Sequence, residues 1–113
     1  MELDMKIIGK NSVVRLTPDV GINLYRIFQQ AVQNAIKHSG ASLLQVSLMK
    51  GQGFVMLCIH DNGKGFQWPL EIKPEHYGLI NMKKRTEMIK AGFQVESTPG
   101  AGTKITIKVP VAG

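Results

Sequence analysis

The sequence predicts an α/β fold in which two helices accompany antiparallel strands. Apolar residues recur at helical spacing in two segments, 18–38 and 79–90, and five short runs have the composition of strands. The strand runs are 13–16, 43–49, 54–60, 93–97 and 103–109. Because 113 residues suffice for one compact core and are too few for two ordinary ones, we expect a single domain over residues 1–113.

Composition and charge exclude several classes of protein. The chain has 43% hydrophobic and 19% charged residues, which is ordinary globular usage and excludes disordered and fibrous classes. The excess of 14 basic over 8 acidic residues gives a net charge of +6. These charges are scattered, however, and the only basic run, 83–85, lies inside a predicted helix. We therefore expect no nucleic-acid partner.

No segment has the character of a membrane span or a secretory signal. The longest apolar runs, such as 54–59, fall far short of the roughly 20 residues that cross a bilayer. Residues 1–6 include two acids and no apolar signal core, so we expect a cytoplasmic location without direct membrane contact. The single cysteine, Cys58, can form neither an internal disulfide nor a metal cluster, and we expect it to be buried in the core.

The first helix has the clearest signals. A short strand is predicted at 13–16, after which Thr17 supplies an N-cap, Pro18 the first helical position and Asp19 an early acid. Residues 39–40, Ser-Gly, provide a stop, so the helix is predicted over 18–38. Its apolar face is formed by Leu24, Ile27, Phe28, Ala31, Val32, Ala35 and Ile36.

The next two strands are predicted to be adjacent and antiparallel, because only the short loop 50–53 separates 43–49 from 54–60. The strand 54–60 is apolar on both faces, so we expect it to be central and covered by helices on at least one side. Residues 67–77 contain two prolines and no periodicity, which predicts a loop of about 11 residues that is functional or mobile. After the second helix, 79–90, the closing strands form a hairpin.

Three glycine-bearing turns occur where secondary structure changes: 61–65, 77–79 and 98–103. Glycine permits a close backbone approach and a positive φ, both of which suit a loop around a nucleotide. Each turn alone is equally consistent with an ordinary strand end or hairpin connection. None has the spacing of a Walker motif or of the dinucleotide-binding fingerprint.

The first helix also carries a polar stripe. Gln30, Asn34 and Lys37 are four and three residues apart, so helical spacing places them beside the apolar face. An amide oxygen suits a hard cation such as Mg²⁺, and a lysine suits phosphate oxygens. A solvated helix face has the same pattern, so the stripe alone leaves both interpretations open.

Four segments, in this order and at this spacing, resemble the ATP-binding catalytic domain of sensor histidine kinases. They are 34–39 (NAIKHS), 61–66 (DNGKGF), 78–85 (GLINMKKR) and 100–103 (GAGT). The resemblance extends over about 13–110 and is strongest to the nitrate-sensor and lipid-fluidity-sensor branch, within the superfamily of gyrase, the Hsp90 chaperone and MutL. It implies a two-layer α/β sandwich of helices and a mixed, largely antiparallel sheet (the Bergerat type), with ATP between the helices and a lid.

The resemblance also implies roles for the residues around the adenine. Asp61 matches the aspartate that accepts a hydrogen bond from the adenine amino group, which favours ATP over GTP. Gly63 and Gly65 match the glycines that let the backbone pass close to the base. Gly100, Gly102 and Thr103 match the last of the family's sequence motifs, in which the threonine hydroxyl supports the network on the adenine side. All three residues are also expected to bind the nucleotide.

On the phosphate side, Asn34 matches the asparagine that holds Mg²⁺ between the phosphates, and Lys37 and His38 fall at phosphate-contacting positions. Gly78 and Leu79 match the far hinge of the lid, which we expect at 67–77. The cofactors implied are ATP and Mg²⁺. The partners implied are the phosphoacceptor histidine helices of the same kinase and a downstream response regulator, in a membrane-bound sensor of which this chain is a cytoplasmic domain.

Two departures from the family pattern keep alternatives open. Gln30 stands where this branch commonly has a glutamate that helps to activate the nucleophile, and a glutamine cannot take a proton. None of His38, His60 and His76 lies on a phosphoacceptor hairpin, so the chain is expected to be the catalytic half of a kinase. The alternatives are an ATP-binding regulatory module without phosphotransfer and an anti-sigma-type serine kinase, whose product would be stable to acid.

Overall fold

The computed structural model describes residues 2–8, 16–65 and 77–111, and in these ranges it consists of five strands and two helices. The predicted strand at 13–16 and the predicted lid at 67–77 lie almost entirely outside the described residues. The elements are β1 (Glu2–Ile8), α1 (Pro18–Asn34) with a π-helical turn (Ala35–Ser39), β2 (Leu43–Gly51), β3 (Phe54–Asp61), α2 (Tyr77–Met88), β4 (Gly92–Ser97) and β5 (Thr103–Pro110).

The five strands form one mixed sheet in the order β1-β2-β3-β5-β4. β1 pairs with β2 in parallel, and the other three pairings are antiparallel. The predicted adjacency of β2 and β3, the closing hairpin and the central position of β3 are therefore confirmed. β1 was not predicted, although Leu3 and Met5 alternate with charged residues in the manner of a strand that is polar on one face.

The two helices cover one face of the sheet. Alternate residues of β3 and β5, among them Leu57, Ile59 and Ile107, are buried in one cluster with α1 and α2. Intervening residues such as Met56 are only half-buried, because they point to the opposite face, on which none of the described helices lies. Cys58 is one of these, so the expectation that it lies in the core is wrong. The predicted two-layer α/β arrangement with a mixed, largely antiparallel sheet is confirmed.

α1 begins where the sequence predicted. The hydroxyl of Thr17 accepts a hydrogen bond from the backbone N–H of Val20 at 3.4 Å, and Pro18 is the first helical residue. Beyond Asn34 the helix widens into the π-turn and ends at Gly40, whose φ of 65° is left-handed. Ile36 is therefore exposed rather than part of the apolar face, because a π-turn does not keep the α-helical angular spacing.

α2 spans Tyr77–Met88, two residues earlier at each end than predicted. Leu79, Met82 and Thr86 are its buried residues, spaced three and four apart as predicted for the side facing the core. Within the residues that the structure describes, no helix combines the length and the apolar character needed to cross a bilayer.

Candidate functional site

The carboxyl end of β3 and the amino end of β5 meet at one end of the sheet, where the first and third glycine turns lie. Asp61 is paired with Thr103 of β5 on one side and with Leu44 of β2 on the other. The Oδ1 atom of Asp61 accepts a hydrogen bond from the backbone N–H of Gly63 at 2.8 Å. Since the described residues donate no hydrogen bond to its Oδ2 atom, the half-buried carboxylate keeps one oxygen for another donor.

Asn62 fastens this turn to the beginning of β2. Its Oδ1 atom accepts hydrogen bonds from the backbone N–H groups of Ser42 and Leu43, at 2.9 and 3.0 Å. Its Nδ2 group donates to the hydroxyl of Ser42 at 2.9 Å. Sequence reasoning did not assign this anchoring role, although an asparagine immediately after a strand is a common source of side-chain to backbone hydrogen bonds.

The turns 61–65 and 98–103 interlock through their backbones. The N–H of Gly100 donates to the carbonyl of Lys64 at 2.6 Å. Gly65 and Gly102 both have a positive φ, 64° and 77°, and a Cβ on either would overlap backbone across the junction. For Gly65 the overlapping atom is the carbonyl oxygen of Thr98, and for Gly102 it is that of Asp61. Only glycine fits at these two positions.

Thr103 supports the third turn from inside. It is only 6% exposed, and its hydroxyl lies 2.9 Å from that of Ser97. The Ser97 hydroxyl also donates to the carbonyl of Gly102 at 3.0 Å. This pair of hydroxyls ties the end of β4 to the beginning of β5 and so fixes the turn between them, a role for Ser97 that sequence reasoning missed.

The second group of predicted residues meets where α1 and α2 touch. A Cβ on Gly78 would lie 2.7 Å from Oδ1 of Asn34 and 2.8 Å from Nε2 of Gln30. Because Gly78 has no side chain, both carboxamides can lie against the first turn of α2. Leu79 follows, with its side chain buried in the core at 5% exposure, so only its backbone can face a ligand.

The two groups lie at the same end of the sheet. α1 and its π-turn lead through residues 40–42 directly into β2, whose first residues bond to Asn62 and pair with Asp61. Lys37 is exposed on the π-turn, so the α-helical spacing from which its alignment with Gln30 was predicted does not hold there. His38 belongs to the same turn, and its side chain lies outside the described structure, as do Phe66 and His76.

The described residues offer few side chains that could coordinate a metal ion. In these ranges, no three His, Cys, Asp or Glu side chains come together as a metal-binding group. A protein cage for Mg²⁺ is thus not found there, whereas a single amide oxygen such as that of Asn34 fits an ion held mainly by phosphate oxygens and water.

Two polar residues between the helices were not predicted. Asn23 of α1 is 7% exposed, and its Nδ2 group donates to the carbonyl of Asp19 at 2.8 Å. Its Oδ1 atom accepts a hydrogen bond from Nη1 of Arg85, at 3.3 Å, across the helix contact. The residue Arg26 was also overlooked, although it precedes Gln30 by four residues and so extends the same stripe of α1.

Comparisons with known proteins agree with this architecture. A family model described as histidine kinase-, DNA gyrase B-, and HSP90-like ATPase matches residues 19–113. The chain is 37% identical over 114 residues to the signal transduction histidine-protein kinase/phosphatase DegS of Bacillus subtilis, covering 99% of this chain and 30% of DegS. It is 34% identical over 110 residues to the sensor protein VraS of Staphylococcus haemolyticus, covering 97% of this chain and 31% of VraS. The chain thus spans about a third of the length of these relatives.

Solved structures share the fold. The ATP binding domain of PrrB from Mycobacterium tuberculosis superimposes with a TM-score of 0.72 at 23% identity, covering 98% of this chain and 82% of that one. The histidine kinase domain from the blue-light activated histidine kinase of Erythrobacter litoralis gives 0.74 at 17% identity, covering 96% and 51%. At these identities the likeness concerns the fold alone.

Proposed function

Because the chain belongs to the family of histidine kinase-, DNA gyrase B- and HSP90-like ATPases, we propose that it binds Mg²⁺-ATP and donates the γ-phosphate to a histidine on a separate dimerisation region. In this proposal residues 1–113 act as one catalytic domain of a two-component sensor kinase, which passes the phosphate to a response regulator. Its relatives DegS and VraS are a histidine kinase and a sensor protein. The assignment to the nitrate-sensor and lipid-fluidity-sensor branch stays a prediction.

The observation that carries the proposal is the Oδ2 atom of Asp61, at the junction of two interlocked turns, to which no described residue donates a hydrogen bond. With Oδ1 engaged by Gly63, the Oδ2 atom is available to accept a hydrogen bond from an exocyclic amino group. Adenine presents such a donor, whereas guanine presents a carbonyl oxygen at the equivalent position. The backbone at Gly63 and Gly65, free of side chains, suits the face of the base.

The phosphate side of the proposal rests on α1. Asn34 would contribute an amide oxygen to Mg²⁺, which neutralises phosphate charge when it is bound. Lys37 and His38 would contact phosphate oxygens, while Gly100, Gly102 and Thr103 shape the opposite wall and Gly78 and Leu79 begin the helix after the lid. The work of the protein in phosphoryl transfer is then mainly positioning and charge neutralisation.

Gln30 favours a second candidate function, an ATP-binding module that does not transfer phosphate. Its carboxamide lies against Gly78 beside Asn34, the residue proposed to hold Mg²⁺, so in this proposal it lies close to the phosphates. A carboxamide cannot accept a proton from a nucleophile, and general-base assistance typically contributes a factor of about 10²–10⁴. ATP binding is expected in both cases.

Calorimetric titration with ATP, GTP and ADP, with and without Mg²⁺, tests the binding site. We expect ATP to bind in preference to GTP. Asp61→Asn should keep the acceptor for the Gly63 N–H and hence the fold, but weaken ATP binding by about 100-fold, since hydrogen bonds to charged groups contribute about 1.5–3 kcal/mol. Asn34→Ala is the companion variant, and its loss should appear mainly with Mg²⁺. Unchanged ATP affinity in Asp61→Asn would refute the adenine role.

Phosphotransfer is tested separately, by adding a histidine-bearing helical hairpin and radiolabelled ATP. Acid-labile label on the hairpin, above a control without this domain, supports the kinase function. ATP binding without transfer by the wild type selects the binding module. Gln30→Glu is expected to raise the transfer rate by at least tenfold if a general base assists the reaction, and an unaltered rate removes that role from position 30.

A further inference from the structure

A polar concavity lies between α1 and α2, beside the contact of Gln30 with Gly78. Its volume is about 270 Å³, several times the roughly 30 Å³ that one water molecule occupies in the liquid. Among the described residues, two arginines and three glutamines line it: Arg26, Gln29, Gln30, Gln33 and Arg85. Of these five, Gln30 alone was assigned a role in the proposed nucleotide site.

One of the two guanidinium groups is held in place by a buried side chain. Nη1 of Arg85 donates to Oδ1 of Asn23, which is 7% exposed and is itself oriented by the carbonyl of Asp19. On the opposite wall, Nη1 of Arg26 donates to Oε1 of Gln29 at 3.2 Å. Each arginine uses one of its five N–H donors in these contacts, and no other acceptor for either guanidinium group is found among the described residues.

The described residues that line the concavity carry positive charge and no negative charge. None of them is an acid. Within the described part of the chain, Arg26 and Arg85 bond to amide oxygens rather than to acids. Two like charges that share one small cavity repel each other, and an anion between them removes that cost. The planar guanidinium fork matches a carboxylate or phosphate group in a bidentate manner.

We propose that this concavity, the Arg26–Arg85 pocket, binds an oxyanion, either a phosphate or a carboxylate group. This assignment stands on the geometry of α1 and α2 and does not require that the proposed adenine contacts are correct. Gln30 forms a wall of the pocket and also contacts Gly78, so the bound oxyanion lies directly beside the proposed phosphate-side residues. It has two possible sources, a free oxyanion or the terminal phosphate of a bound nucleotide.

Titration of the domain with inorganic phosphate at constant ionic strength, followed by the NMR signals of the arginine side chains, tests the pocket. We expect saturable shifts at Arg26 and Arg85. Arg26→Gln should weaken phosphate binding by about tenfold or more, and because Arg26 is exposed this variant should fold. Lys83→Gln, on the exposed side of α2, is the control with the same change in net charge.

Equal weakening by Arg26→Gln and Lys83→Gln overturns the proposal, because it shows that net charge rather than the pocket attracts phosphate. Absence of saturable shifts at both arginines overturns it as well. Repeating the titration with saturating ATP and then ADP identifies the source. Loss of phosphate binding with ATP but not with ADP assigns the pocket to the terminal phosphate, and retention with both assigns it to a free oxyanion. These outcomes are independent of whether Asp61→Asn loses affinity for ATP.

Discussion

The two sides of the candidate site are held together by different kinds of contact. On the sheet side, the backbones of turns 61–65 and 98–103 interlock, and a Cβ at Gly65 or Gly102 would overlap a carbonyl. On the helix side, the flexible carboxamides of Gln30 and Asn34 lie against the bare Cα of Gly78. Close-packed backbone cannot yield to an added atom, whereas the end of a side chain can rotate away. Substitutions on the sheet side should therefore lower mainly the free energy of unfolding. Substitutions on the helix side should lower mainly the affinity for the ligand.

The largest expected effect is that of Gly102→Ala. Its positive φ and the overlap with the Asp61 carbonyl should together lower the free energy of unfolding by about 3 kcal/mol. Gly100→Ala is the matched control, because Gly100 lies in the same turn with a φ of 83° but has open space around it. Gly100→Ala should lower the free energy of unfolding only by the cost of a left-handed backbone for alanine, about 1–2 kcal/mol. Urea denaturation measures the free energy of unfolding of both variants. Equal decreases would show that the overlap with the Asp61 carbonyl adds no cost at position 102.

A smaller loss is expected for Asn62→Ala, which removes the side chain that fastens the first turn to β2. Because its three hydrogen bonds are exposed to solvent, we expect a decrease of about 1 kcal/mol in the free energy of unfolding. Asn81→Ala, at an exposed position of α2, is the control and should not destabilise, since alanine favours a helix. If the two variants denature alike, Asn62 does not anchor the turn.

The smallest effect on stability is expected on the helix side. Gly21→Ala in α1 has open space around the new Cβ and should raise the free energy of unfolding by roughly 1 kcal/mol through helix propensity. Gly78→Ala gains the same propensity but must displace Gln30 and Asn34, so we expect a net change near zero. Its affinity for ATP should fall by about tenfold, as one misplaced polar contact typically costs about 1–2 kcal/mol.

Calorimetry of the two variants with Mg²⁺-ATP completes the comparison. Gly21 lies outside the candidate site, so Gly21→Ala should bind nucleotide as the wild type does. If Gly78→Ala also retains full affinity, the carboxamides of Gln30 and Asn34 do not serve the ligand from their positions against Gly78.

Much of the fold could be predicted because its signals are local. The cap at Thr17 and Pro18 set the start of α1, and strict alternation along 103–109 identified β5. β1 was missed because this edge strand depends on parallel pairing with β2, which is remote in sequence. The exposure of Ile36 could not be foreseen either, because the sequence pattern gave no indication of the π-turn.

Less of the candidate site could be predicted. The residue types and order of its segments were evident, but Asn23, Asn62, Ser97 and Arg85 act through partners that no spacing rule identifies. Thr103 was expected to support an adenine-side network, and its partner Ser97 became apparent only from the hairpin register. Lys37 shows the converse, because the α-helical spacing that aligned it with Gln30 and Asn34 does not hold in the π-turn.

By itself, the sequence determined both helices, four of the five strands and the order of the four motifs, because periodicity and capping act within a few residues. Only the tertiary structure decided which atoms meet. The pairing of β3 with β5 brings Asp61 under Gly102, and the packing of α1 on α2 places Arg85 opposite Arg26. Such contacts depend on strand register and helix packing, which arise from burial over the whole sheet rather than from any local pattern.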